Sequence, residues 1–301
     1  MGALCCVLTT GACLPEEPPD ADWVDWQDIA GALAPEVGDN TVAETPGARI
    51  RVVSFNIEFG DDIPGLARAI LDNDALAAAD VFLVQELELH PGDSRSRAEE
   101  LAEALAMNYA YAPMRGLDDG GTHGLAIFSR FPLLDVQVMQ LPRFEIGVNS
   151  TQRIALAADI DIDPSGAETL MRVVSVHLDT RINITQRILQ LRPAVVKSGD
   201  RAIIAGDMNT NPYIWGGSVI PDVPTQVATG FDQAVALDDY LRGSGFDTPT
   251  AHSGPTHRAA GFEMRLDAIY TRGLSLTGAS GVERSVRESD HFPLWVDIAV
   301  E

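Results

Sequence analysis

Residues 201–205 form a short Ile-rich run that ends in Gly206, Asp207, Met208 and Asn209. A buried strand that meets a glycine, an acid and an amide delivers polar groups at its carboxyl end, where loops build sites. Taken alone, the tetrapeptide also fits a strand followed by an ordinary Asx turn. The same kind of ending recurs along the chain, and that recurrence is the constraint. Residues 51–59 alternate, with Val53, Phe55 and Ile57 on one face and Ser54, Asn56 and Glu58 on the other. Residues 81–84 are continuously apolar, as in a strand buried on both faces, and lead into Gln85 and Glu86. An unpaired carboxylate there is costly, so Glu86 is expected to have a cation or a donor network. Residues 171–179 place His177 and Asp179 on one face, residues 266–271 carry Asp267, and Ser289, Asp290 and His291 precede a last strand over 294–300.

Between these runs the pattern changes to helices and turns. Pro64 opens an amphipathic helix through about Ala79, and Ser94 caps another through about Met107. Residues 183–197 read as a helix that Pro193 is expected to kink, and residues 232–242 as a further one. Residues 113–124, with Gly116, Gly120 and Gly121, read as a loop able to approach a ligand, followed by a short strand over 125–128. Strands over 154–162 and 171–179 form a hairpin, and a long Pro, Gly and Trp loop spans 212–230.

With 301 residues, 46% of them hydrophobic, the chain can bury a real core. Its formal net charge of -23 repels polyanions at long range, which excludes an extended basic groove for nucleic acid but not a local site for one phosphate. Such acidity also serves solubility or a saline environment. The three cysteines, Cys5, Cys6 and Cys13, all lie at the amino terminus, so the body of the protein has no disulfide framework, thiolate catalyst or thiolate metal site. Residues 3–8 are apolar but too short to span a bilayer, whereas residues 10–13 are similar to the cleavage site of a bacterial lipoprotein signal. Two readings stand: membrane attachment through lipid on Cys13, with an extracellular or cell-envelope protein, or a cytoplasmic start. Residues 14–48 contain no basic residue and read as an acidic, Pro-rich tether with one helical turn around 23–33.

In their order and spacing, Asn56 and Glu58, Gln85 and Glu86, His177, Asp207 and Asn209, Asp267, and Ser289 to His291 resemble the motifs of the endonuclease/exonuclease/phosphatase superfamily, over about residues 49–301. The resemblance implies an α/β fold, a four-layer α/β/β/α sandwich of two packed mixed β-sheets flanked by helices, with the site at one end. It implies a divalent-metal-dependent phosphoester hydrolase in which Glu86, Asn56 and Glu58 line the cation site with Asp290 close by. Family nucleases often carry Asp where Glu58 stands. Oxygen donors without thiolates suit Mg²⁺ or Mn²⁺. By the same resemblance Asp207 orients or deprotonates water, Asn209 donates to phosphate, and His291, held by Asp267, contacts the scissile phosphate. His177 then matches the second imidazole of the deoxyribonuclease and sphingomyelinase branches. Arg153 is a candidate phosphate clamp, and Trp215, with Tyr213 and Ile214, a candidate to stack on a base or insert into lipid.

Inositol polyphosphate 5-phosphatases place a Trp just before the Gly-Asp and an aromatic plus Arg just after the Asn. This chain has Ile204 and Ala205 before, and Thr210, Asn211 and Pro212 after, which disfavours that branch. The expectation is a monomeric phosphodiesterase acting on DNA, RNA or a phospholipid head group: a secreted or envelope-attached nuclease first, a sphingomyelinase-like lipid phosphodiesterase second. A phosphomonoesterase and a catalytically inactive binding module are the remaining alternatives. Loss of the ligand Glu or the final His would signal an inactive module, and this chain keeps both Glu86 and His291.

Overall fold

The computed structural model describes residues 34–40, 47–144, 152–162, 169–214, 223–224, 232–259 and 262–300. Seven strands form one sheet, in the spatial order β1 (Glu36–Gly38), β4 (Asn108–Gly116), β5 (Thr122–Ser129), β3 (Val81–Leu89), β2 (Arg49–Phe59), β16 (Leu294–Ala299) and β15 (Leu276–Val282). Five form the other: β14 (Asp267–Arg272), β9 (Ala202–Asp207), β8 (Leu170–His177), β7 (Arg153–Asp161) and β6 (Leu133–Leu141). Both sheets are mixed, since β2 runs parallel to β3 and β8 parallel to β9 while their other pairs are antiparallel. Two short hairpins complete the strands, β10 (Tyr213–Ile214) with β11 (Val223–Pro224) and β12 (His257–Ala259) with β13 (Phe262–Met264).

The sheets face each other across one apolar seam, where Ile50, Val52, Leu83 and Ile127 meet Leu156, Val173, Ile203 and Ile269. Helices α1 (Ile63–Leu71), α2 (Asp74–Ala77) and α3 (Arg97–Leu105) cover the outer face of the larger sheet, burying Leu66, Ile70 and Leu101 against Phe55, Phe82 and Phe128. On the outer face of the smaller sheet, α4 (Ile184–Lys197) and α5 (Gln233–Gly243) bury Leu191, Val195 and Leu237 against Val174, Ile204 and Tyr270. The result is the four-layer α/β/β/α sandwich. Each fully buried Leu, Ile or Phe contributes about 1.5–3 kcal/mol, so these three seams, rather than any polar contact, fix how the strand ends meet.

The seams also explain the alternation of β2. Its polar face is not wet: Ser54 and Asn56 are buried on the same side as Ile50 and Val52, facing the second sheet. Several boundaries differ from the sequence reading. The single helix expected over 64–79 is two, because the Asn73 side chain accepts from the backbone N–H of Ala75 and Leu76 and starts a new helix. α3 begins at Arg97, after Ser96 rather than Ser94. α4 agrees with the expected helix over 183–197, with Pro193 inside it, and is opened by a reciprocal Asn183–Gln186 cap. Strand β3 runs on to Leu89, and residues 113–124 are mostly strand, joined by a turn over 117–121. Gly124 permits this pairing: a Cβ there would lie 2.1 Å from the carbonyl oxygen of Ala112. Strands β6 and β15 were not legible, and part of the stretch expected as a tether is the edge strand β1, paired with Tyr109–Tyr111. Cys13, Trp215 and the helical turn expected around 23–33 lie outside the described residues. Among the described residues no helix is long and apolar enough to cross a membrane.

The topology sets the position of the polar strand ends. Parallel β8–β9 and antiparallel β9–β14 pairing put His177, Asp207 and Asp267 in one cross-strand row. In the facing sheet Asn56 pairs with Gln85.

Candidate active site

Each key side chain reaches the site through a local departure from regular strand. In β3, Gln85 pairs with Leu125 and Leu87 with Gly124, which leaves Glu86 as the extra residue of a bulge, with φ 65. At the same level β2 is irregular between Asn56 and Phe59, where Glu58 has φ 47 and Phe59 φ 75. Asn209, after β9, has φ 51. Such conformations cost on the order of 1–3 kcal/mol each and cluster where function requires them. Just before Asp207, Gly206 has φ 151, and a Cβ would lie 1.9 Å from the carbonyl oxygen of Val176. Only glycine lets β9 lie this close to β8.

The two sheets meet on one amide. Asn56 Nδ2 donates to Glu86 Oε1 at 2.9 Å and to Asp207 Oδ2 at 3.2 Å. Asp207 Oδ1 accepts from the Asn209 backbone N–H at 2.8 Å, and the Asn209 Nδ2 donates to the Leu178 carbonyl at 2.9 Å. His177 Nε2 lies 3.5 Å from Asp207 Oδ2 and 3.9 Å from Glu86 Oε1. His291 Nδ1 is 2.8 Å from Asp267 Oδ2, with its Nε2 3.7 Å from the same Asp207 Oδ2. Ser289 ties this loop to β2, donating from Oγ to the Asn56 carbonyl at 2.7 Å and accepting from the His291 N–H at 3.0 Å. Glu58 is the exception among the expected cation ligands: it is exposed, and its Oε2 accepts from the backbone N–H of Asp290 at 2.8 Å.

Burial dominates the electrostatics. It raises Glu86 above the ordinary carboxylate range, partly offset by the Asn56 hydrogen bond. It raises Asp207 to about 7, partly offset by the charge of His291. Burial also opposes charge on His291, but Asp267 and Asp207 outweigh it and raise that imidazole to about 10. His177 is pushed the other way, well below its ordinary range, by burial and by the nearby Arg153 cation. One imidazole is therefore charged and the other neutral at neutral pH, and both face Asp207 Oδ2. Arg153 is itself lowered by burial, while Asp179, Asp207 and Glu86 favour its charge; its Nε is buried without a hydrogen bond.

The expected residues Asn56, Glu86, His177, Asp207, Asn209, Asp267, Asp290 and His291 thus converge. Sequence reading missed others. His257 Nε2 lies 3.2 Å from Asp290 Oδ2, and its ring packs edge-on against His291 at 4.6 Å. Thr256 Oγ1 accepts from the backbone N–H groups of both Leu266 and Asp267 at 3.0 Å, fixing the start of β14. Arg187 is fully buried and donates to the carbonyls of Asp179, Met208 and Ile182 at 2.7, 2.8 and 3.0 Å, clamping the loops after β8 and β9. An arginine within a helix normally reads as part of the wet face, so periodicity carried no signal for it.

The donor set fits a divalent cation. Half-buried Glu86 and buried Asp207 share one amide donor, and desolvation disfavours the charge on both. Ligand atoms of Glu86, His177 and Asp207 lie within 4.8 Å of one another, as do those of His257, Asp290 and His291.

Residues 53–291 match the model of the Endonuclease/Exonuclease/phosphatase family, and the chain belongs to that family. Its members are phosphoester hydrolases. The fold is similar to that of an endonuclease/exonuclease/phosphatase from Beutenbergia cavernae DSM 12333, with 19% identity and TM-score 0.64 over 84% of this chain and 72% of that one. It is also similar to D. rerio TDP2 complexed with single strand DNA product, with 16% identity and TM-score 0.56 over 84% of this chain and 100% of that one. A Bacteroides thetaiotaomicron VPI-5482 mannosyl-6-phosphatase shares the fold at 18% identity and TM-score 0.54, over 83% and 100% of the respective chains. A comparison with curated protein sequences finds no match.

Proposed function

We propose that this chain is a divalent-metal-dependent phosphodiesterase of nuclease type. The observation that supports it best is the Asn56 amide joining Glu86 of one sheet to Asp207 of the other, beside the His291–Asp267 pair. Asp207, held by the Asn209 N–H, accepts a proton from the attacking water as its oxygen bonds to phosphorus and the opposite P–O bond breaks. Charged His291 donates from Nε2 to a non-bridging oxygen, and Arg153, whose charge Asp179, Asp207 and Glu86 favour, adds positive charge nearby. Glu86 and Asp207, with Asp290 nearby, would hold Mg²⁺ or Mn²⁺, which supplies Lewis-acid stabilisation of the charge on the phosphate and the leaving oxygen. With Mn²⁺ present, the full chain is expected to hydrolyse bis-p-nitrophenyl phosphate with kcat/KM about tenfold or more above p-nitrophenyl phosphate. A preference for the monoester would replace this reading with a phosphatase.

The His291–Asp267 unit has its own test. The folded imidazole, near 10, lies above its ordinary 6.5. The stability that this pair contributes is therefore complete below about pH 6.5 and is lost as pH rises through about 10. Asp267→Asn removes the main charge that holds His291 protonated, and burial then lowers the imidazole. Turnover is expected to fall roughly 100-fold, the alkaline limb of the pH–rate profile to move down, and the double variant with His291→Ala to be little worse than His291→Ala alone. Losses that multiply cleanly, with an unmoved alkaline limb, would make Asp267 a structural strand residue.

A further inference from the structure

Phe59 ends β2 where a smaller residue would suit the backbone better. Its φ of 75 lies in the left-handed region, a strain that glycine would not incur. The conformation is nonetheless held in place. Arg97 donates to the carbonyls of Phe59 at 3.3 Å and Gly60 at 3.2 Å, and is itself fixed by Asp93 at 3.0 Å. The ring does not serve the core: Phe59 is 38% exposed, the one aromatic among the large hydrophobic residues exposed in the described part of the chain. It leads instead toward the candidate active site. Its ring lies 6.1 Å from that of His123, and the His123 ring lies 6.5 Å from that of His177. His123 is buried and anchored by Glu88 at 3.0 Å, so the step between the two is rigid.

We propose that Phe59 is a specificity-determining residue that stacks a nucleobase flanking the scissile phosphodiester of a short or single-stranded substrate. This deepens, and rests on, the phosphodiesterase reading above. An exposed π-face on a pinned backbone contributes about 1–3 kcal/mol per stacked base, whatever the base. The surface charge favours that mode of binding: a net -23 offers little attraction for a duplex backbone, so base faces must supply what phosphates cannot. A choline head group is the competing occupant of a lone aromatic face, but quaternary ammonium sites are cages of several rings.

The test compares three p-nitrophenyl esters that share a leaving group: those of thymidine 5′-phosphate, methyl phosphate and phosphorylcholine, with the full chain in Mn²⁺. In Phe59→Ala and Phe59→Gly the ratio of kcat/KM for the thymidyl over the methyl ester is expected to fall about 5- to 100-fold, and Phe59→Trp to keep it. Phe59→Gly suits the backbone and so decides the matter if the Ala variant does not fold. An unmoved ratio overturns the proposal, as does a fall confined to the choline ester. If the wild type hydrolyses none of the esters, the phosphodiesterase reading fails. Stacking is then decided by equilibrium dialysis of thymidine 5′-phosphate: equal affinity for wild type and Phe59→Gly overturns it, and a 5- to 100-fold weaker affinity of the variant upholds it.

Discussion

Asp207→Asn is expected to lower kcat by roughly 10²–10⁴-fold while the domain stays folded. The substitution keeps the shape that accepts the Asn209 N–H, so the turn after β9 is retained. It removes the only feature that an amide cannot supply, a lone pair basic enough to take a proton from water. The pH dependence identifies the residue. Burial raises the Asp207 carboxyl to about 7, from its ordinary 3.8. In the metal-free protein the group takes up a proton on folding between those values, so its contribution to stability is complete below about pH 3.8 and is lost as pH rises through about 7. Urea melts of the wild type without metal should show this decline, and those of Asp207→Asn a smaller one, since burial also raises Glu86. A variant with near wild-type turnover, or with the same decline in stability, would remove Asp207 from the centre of the site.

Much of this site was legible because strands end abruptly. A carboxylate or amide at the close of an apolar run has no structural use when both faces are buried, and Glu86 and Asp207 each stand at such a place, whereas Asp267 opens its strand. The sandwich followed from the order of these residues, through the family they resemble, and the two cores on either side of the larger sheet then account for why β2 and β3 are buried on both faces. What was not legible depends on contacts distant in sequence. Strand β1 exists because Tyr109–Tyr111 offers an edge, and the Tyr109 hydroxyl donates to Glu36 at 2.6 Å. Irregular β6, with Asp135 at φ 44, has no clean period to read. His257 and Arg187 carry no local signal, since only the bridge to His291 and the three carbonyls around the guanidinium give them a role. Glu58 stands beside these residues through a contact the spacing did not show, its carboxylate accepting from the Asp290 N–H.

The account depends most on a cation shared by the two sheets, and removing it is the most direct test. After exhaustive dialysis of the full chain against EDTA, hydrolysis of bis-p-nitrophenyl phosphate is expected to vanish, and Mn²⁺ or Mg²⁺ to restore it. Glu86→Gln should stay folded but need far more metal. Loss of even an outer partner of a metal ligand costs roughly 10–100-fold in affinity, so the half-saturating concentration should rise at least that much. Full hydrolysis by the metal-stripped protein, or an unchanged metal requirement in Glu86→Gln, would contradict the account.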